Sequence, residues 1–212
     1  RVREQVRELS ETHLATIFAM SKLAESRDPE TGEHLERGRE LAHILAEELI
    51  AANKYPELLS VRSFVESLYS AWPLHDIGKV GIPDRILQKP GKLTSEEFEV
   101  MKRHADIGAD ALRAVAKQHP GNALVETGIE IAQSHHEKWD GSGYPQGLAG
   151  TDIPLAARIA AVVDVYDALT SKRCYKEALP HEKSREIIHG GKGTCFEPTI
   201  VDAFEARHEQ FA

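Results

Sequence analysis

No stretch of the 212 residues alternates apolar and polar side chains for long enough to build a half-buried strand. Apolar residues recur instead at helical spacing, and short runs rich in proline and glycine cut the pattern into segments. The pattern predicts an all-α fold. Residues 1–26 carry Val2, Val6, Leu9, Ile17, Met20, Leu23 and Ala24 on one apolar stripe. "RDPETG", Arg27 to Gly32, signals a turn, and a second helix runs through "HLERGRELAHILAEELIAAN" from His34. A third is expected over Ser63–Leu74, where Pro73 kinks or ends it. "VGIPDRILQKPGKL" reads as loop, and Thr94 with Glu97 forms a capping box for a helix to about Lys117. Further helices are expected at about Asn122–Glu137, Pro154–Ser171, Pro180–His189 and Pro198–Gln210.

The length suits one domain with a real core. No apolar run approaches the ~20 residues of a membrane span. A formal net charge of −8 argues against a surface that coats nucleic acid, so an anionic ligand would have to be drawn by a local device such as metal ions. Cys174 and Cys195 make no disulfide framework, which points to a reducing, cytoplasmic setting.

That local device is suggested by the histidines, of which there are 11. "LHDIGK" places His75 beside Asp76, with Lys79 three residues on. A His-Asp dipeptide arises often by chance. The companions strengthen it: His34, His104, His135, His136 and Asp164 all fall on predicted helices or helix ends, where a bundle can aim them into one pocket. Each alone reads equally well as a hydrogen-bonded core or surface residue. Imidazole and carboxylate without thiolate suit iron or manganese better than structural zinc. Two such ions ~3.5–4 Å apart can hold a hydroxide and clamp a phosphate, which suits phosphodiester hydrolysis. Lys79 then serves as a cation beside that phosphate.

Taken together, "HDIGK", "HHEKWDGSGYP" and "DVYDALTSKRCYK" resemble the HD-GYP family, a branch of the HD metal-dependent phosphohydrolases, over about Glu25 to Phe204. The resemblance implies a helical bundle with a metal site in its core and a GYP loop at the mouth. It implies hydrolysis of the bacterial second messenger cyclic di-GMP to pGpG, and on to GMP, by a metal-bound hydroxide. Carried over by position, His34, His75, Asp76 and Asp164 hold one ion, and Asp76 bridges to a second held by His104, His135 and His136. Glu30, four residues before His34, matches members with a third ion, so two or three divalent ions are expected, iron or alternatively manganese. Asp76 and Lys79 carry catalysis, and Lys79, Tyr144, Asp167, Arg173 and Lys176 face the ligand. Glu137 is expected to orient an imidazole, and Gly141 and Gly143 to shape the loop.

Residues 1–26 are expected to be a connecting helix from an upstream regulatory domain and a possible homodimer contact, with 27–212 the catalytic domain. Near the C-terminus Glu197 stands where the family commonly has aspartate, with consequences for packing alone, and Cys195 reads as a small buried thiol. The alternatives are a cyclic-dinucleotide receptor with little turnover, or a hydrolase preferring pGpG or cyclic GMP–AMP.

Overall fold

Caps and prolines written in the sequence set most of the helix boundaries in the computed structural model, which describes residues 2–27, 34–56, 62–171 and 177–212. The helices are α1 (Val2–Glu25), α2 (His34–Ala51), α3 (Arg62–Ala71), α4 (Asp84–Leu87), α5 (Ser95–Gln118), α6 (Ala123–Ser134), α7 (Leu155–Thr170), α8 (His181–Gly190) and α9 (Pro198–Arg207). Among the described residues there is no strand, only an isolated bridge between Lys192 and Phe196. None of the described helices is long and apolar enough to cross a membrane.

The capping box is present: Glu97 N–H donates to Thr94 Oγ1 at 3.3 Å, and Thr94 N–H to Glu97 Oε2 at 2.8 Å. Asn122 caps α6 by accepting from the N–H groups of Leu124 and Val125. Pro73 marks the end of α3, after which Trp72–Leu74 continues as a 3-10 turn. Two sequence expectations need correction. Asp84–Leu87, read as loop, forms one helical turn, too short for a periodic signal, whose Ile86 and Leu87 are buried. On α1, Met20 and Leu23 are 62% and 72% exposed, whereas Ser21, Ala24 and Glu25 are buried. The stripe is therefore split there: Ala24 packs inward while Met20 and Leu23 face out. What α1 packs against is the polar segment that follows α3.

The main core surrounds α7, whose residues from Leu155 to Val163 are all buried. A helix hidden on every side loses its amphipathic pattern. Leu45 and Leu49 of α2, Leu68 of α3, Ile131 of α6, Ile188 of α8 and Phe204 of α9 complete this core. A second cluster, Ile82, Ile86 and Leu87 with Val100, Met101 and Ile107, presses the region after "HDIGK" onto α5. Burial of this kind contributes ~25 cal/mol per Å² of apolar surface. Its structural effect is to fix one polar segment between α1, α5 and α6.

Candidate metal centre

The polar segment runs from the Trp72–Leu74 turn through His75 and Asp76 into a second 3-10 turn, Ile77–Gly81. Gly78 makes its seat possible. A Cβ there would lie 1.9 Å from the His104 carbonyl oxygen and 2.5 Å from the Gly108 nitrogen, so only glycine lets the segment lie against the α5 backbone. The close approach brings Asp76 to the imidazoles of two helices. Asp76 Oδ1 is 3.3 Å from His104 Nε2 and 3.8 Å from His135 Nε2, and Oδ2 is 3.2 Å from His75 Nε2 and 2.8 Å from Lys79 Nζ.

The imidazoles are oriented in one sense. Nδ1 of His75, His104 and His135 bonds the carbonyl oxygens of Trp72, Met101 and Ile131 at 3.0, 2.7 and 2.9 Å. With Nδ1 donating, Nε2 is the nitrogen that faces inward, and a ring without an Nε2 proton presents its lone pair there, the arrangement of a metal-ligating histidine. His136 Nε2 lies 3.2 Å from His104 Nε2, two potential acceptors turned towards each other. Asp76 Oδ1 and His135 Nε2 are buried without a hydrogen-bond partner among the described residues. Buried acceptors converging without donors are what a cation satisfies. The residues present therefore fit a divalent metal.

The donor atoms form two sets, each within 4.8 Å: Asp76, His104, His135 and His136, and Glu25, His34 and His75. Thus the structure brings together His34, His75, Asp76, Lys79, His104, His135 and His136. Asp164, half-buried on α7, lies outside both sets, yet its charge acts on His75, His135 and Tyr144. Glu25 joins the first set with no sequence motif to announce it. The available signal is a charged residue one turn after Ser21 on a helix whose Met20 and Leu23 face out.

Electrostatics separate the groups. Burial raises the Asp76 carboxyl, but Lys79 and His75 outweigh it and hold it well below the usual carboxylate range. Burial lowers His75, yet Asp76, helped by Asp164 and Glu25, lifts it to about 10. Burial and the neighbouring His75 and His104 bring His135 down to about 4, despite Asp76. His136 is depressed well below the ordinary range by burial and by His135 and His104. The two adjacent imidazoles are thus neutral near pH 7, the form that ligates.

At the mouth, the GYP loop is built by Glu137. Its carboxylate accepts the backbone N–H groups of Gln146 and Gly147 on Oε1, at 2.7 and 3.1 Å, and of Leu148 on Oε2, at 3.1 Å. The expectation that it orients an imidazole gives way to a loop clamp. A Cβ on Gly143 would come within 2.4 Å of the Lys138 nitrogen, so the loop can fold back only through glycine. Tyr144 consequently stands 4.7 Å, ring to ring, from His136, with Phe98 of α5 edge-on at 5.9 Å and Lys102 Nζ near both rings. Burial, with Asp76 and Asp164, raises the Tyr144 hydroxyl, which stays protonated.

Asp167 is buried and bonded by Arg37 Nε at 2.9 Å and by the Ser171 hydroxyl. Glu30, Arg173 and Lys176 lie outside the described residues. Cys195 is half-buried rather than buried.

Comparison with known proteins follows the same lines. The family described as HD domain matches residues 19–200. A Vibrio cholerae protein named as a probable cyclic di-GMP phosphodiesterase is 50% identical over 205 residues, covering 96% of this chain and 46% of that protein. A 3'3'-cGAMP-specific phosphodiesterase of the same organism is 39% identical over 96% of this chain and 36% of its own length. The chain thus spans less than half of either relative. The crystal structure of a V. cholerae cyclic GMP-AMP specific phosphodiesterase shares the fold, with a TM-score of 0.61 at 21% identity over 92% of this chain and 49% of that one. With its HD segment, paired histidines and GYP loop, the chain belongs to the HD domain family, in the HD-GYP branch.

Proposed function

We propose that this chain hydrolyses cyclic di-GMP to pGpG and onward to GMP in the bacterial cytoplasm, using divalent iron or, alternatively, manganese. One observation carries the reading: inward-facing imidazole nitrogens from α2, α5 and the end of α6 converge on the HD segment, with Lys79 at its side. Bound ions would supply an activated water and neutralise charge that grows on the phosphoryl oxygens. His34, His75, Asp76 and Asp164 would hold one ion, and Asp76, His104, His135 and His136 the other, with Glu30 able to serve a third.

The protein's own groups do the rest. Lys79 Nζ, 2.8 Å from Asp76 Oδ2, offers a cation at the point where a phosphate would meet the ions. Tyr144, protonated, presents a flat face and a hydroxyl at the mouth. Asp167, Arg173 and Lys176 are assigned to the ligand, Asp167 through the arginine that holds it. Residues 1–26 act as the link to an upstream regulatory domain and as a homodimer contact. The relative at 50% identity that carries the cyclic di-GMP name supports this substrate. A second reading, cyclic GMP–AMP, is favoured by the relative at 39%.

Product chromatography tests the assignment. The purified chain is incubated anaerobically with ferrous iron, or with manganese, and with each dinucleotide in turn. The expected result is pGpG followed by GMP, at a rate that follows the metal supplied. Intact cyclic di-GMP after long incubation at verified metal occupancy overturns it, and cleavage of cyclic GMP–AMP alone moves the substrate to the second reading.

A further inference from the structure

Glu25 is the last residue of α1 and is only 4% exposed. Both of its carboxylate oxygens are buried with no hydrogen-bond donor among the described residues. A buried carboxylate in that condition costs several kcal/mol unless a cation meets it. The nearest group is His34 Nε2, 3.1 Å from Oε1, and His75 completes the set. The rings of His34 and His75 stand edge to face at 5.9 Å, so two imidazoles and one carboxylate surround a single point. The other set has the same composition plus one histidine, with Asp76 as its carboxylate.

The end of α1 is also clamped to the HD segment. Arg27 donates from Nη1 to Val80 O at 2.8 Å, from Nη2 to Ile82 O at 3.0 Å and from Nε to Asp84 Oδ1 at 3.0 Å. Gln88 returns a bond to Arg27 O at 2.9 Å. Any shift of α1 along the bundle would therefore move Glu25 relative to His75, or pull on the turn that carries Asp76 and Lys79.

We propose that Glu25 is a carboxylate ligand of the ion held by His34 and His75, delivered by α1, so that the seat of α1 on the HD segment sets how tightly that ion is bound. The inference rests on the metal reading above. It makes α1 a part of the site, and a displacement of the helix becomes a change in metal occupancy.

The test is a titration of chelator-stripped protein with manganese alone, with free ion followed by electron paramagnetic resonance. Wild type is expected to bind at least two ions. Glu25→Gln, nearly the same shape without the charge, should lose tight binding of one ion by on the order of 10–100-fold and retain the other. Arg27→Ala should weaken the same ion by a smaller factor, with full stoichiometry at saturating manganese. Melting of the stripped proteins gives a readout that does not depend on metal. The buried carboxylate charge beside His34 is gone in Glu25→Gln, so it should melt as high as wild type or higher. Glu25→Asp, which keeps the charge and draws the oxygens back, is expected to weaken the same ion and guards against a folding artefact in the glutamine variant. Undiminished binding of every ion by Glu25→Gln, with a lower melting temperature when stripped, overturns the proposal and leaves Glu25 a structural partner of His34. A wild type that binds no manganese overturns the metal reading itself, and this inference with it.

Discussion

Asp76 and Glu197 are both buried carboxylates with a basic group at ion-pair distance, Lys79 Nζ at 2.8 Å from one and Arg158 Nη1 at 2.6 Å from the other. Their surroundings differ in what is left over. Each oxygen of Glu197 has its own donor, Tyr55 hydroxyl on Oε1 and Arg158 on Oε2, and the cluster ties the end of α2 to α7 and α9. The atom left unmet there is a donor, Arg158 Nε. Around Asp76 several of the unmet atoms are acceptors, Asp76 Oδ1, His135 Nε2 and both oxygens of Glu25, beside an unmet donor, Trp72 Nε1 under His75. A buried ion pair that closes on itself is structure. One that leaves several acceptors converging has room for a cation, and this distinguishes the two clusters more sharply than burial or charge does.

The sharpest way to break the comparison is Asp76→Ala. It should cost on the order of 10³-fold in turnover, about 4 kcal/mol, and remove the ion of the His104, His135 and His136 set. Metal content per chain and product formation are measured on the same sample. Full activity in this variant would sink the metal-centred reading. Glu197→Ala should do the opposite. It leaves Arg158 buried without its carboxylate and should cost roughly 3–5 kcal/mol of stability, with metal content per folded chain unchanged. Calorimetry with metal analysis on the surviving folded fraction checks it, and loss of metal at full stability would show that the two clusters are one.

Chelation sharpens the contrast from the metal's side. An ion present at about 100 times its dissociation constant stabilises the folded chain by roughly 2.7 kcal/mol, which for a domain of this size is on the order of 5–10 °C in melting temperature. Stripping should remove that increment in wild type, and stripping a Glu197→Gln background should lower its melting temperature by the same amount, because the clusters share no residue. A shift that disappears in Glu197→Gln would mean that the structural cluster supports the ions.

What the sequence discloses divides along the same line. Asp76, His104 and the His135–His136 pair are legible because they fall on predicted helices or helix ends, and ligand chemistry restricts which residue types can stand there. The helices are legible where caps are local, as at Thr94–Glu97 and Asn122. Glu25 is illegible because its role depends on which face of α1 turns inward, and that is decided by the HD segment some 50 residues on, not by the pattern of α1 itself. The Asp84–Leu87 turn is likewise fixed by burial of Ile86 and Leu87 in the second cluster rather than by periodicity. Tyr55, Arg158 and Glu197 lie in three separate segments, and nothing local announces their meeting.

Glu137 gives the smallest expected effect and the finest division. It follows two candidate ligands in the chain and is buried beside them, yet its oxygens reach nine, ten and eleven residues ahead to three backbone N–H groups of the GYP loop. Charge-assisted bonds of this kind are worth about 1.5–3 kcal/mol each in isolation, but a glutamine keeps one acceptor oxygen and so preserves part of the clamp. Glu137→Gln should therefore loosen the loop that carries Tyr144 by about 1–2 kcal/mol, which is roughly 5–30-fold in the affinity for a dinucleotide. Metal stoichiometry should not move, because none of the clamp's contacts is to an imidazole. Steady-state kinetics on Glu137→Gln with metal content measured in parallel separates the two roles: a raised KM at constant metal assigns Glu137 to the loop, whereas lost metal at constant KM would return it to the histidines beside it.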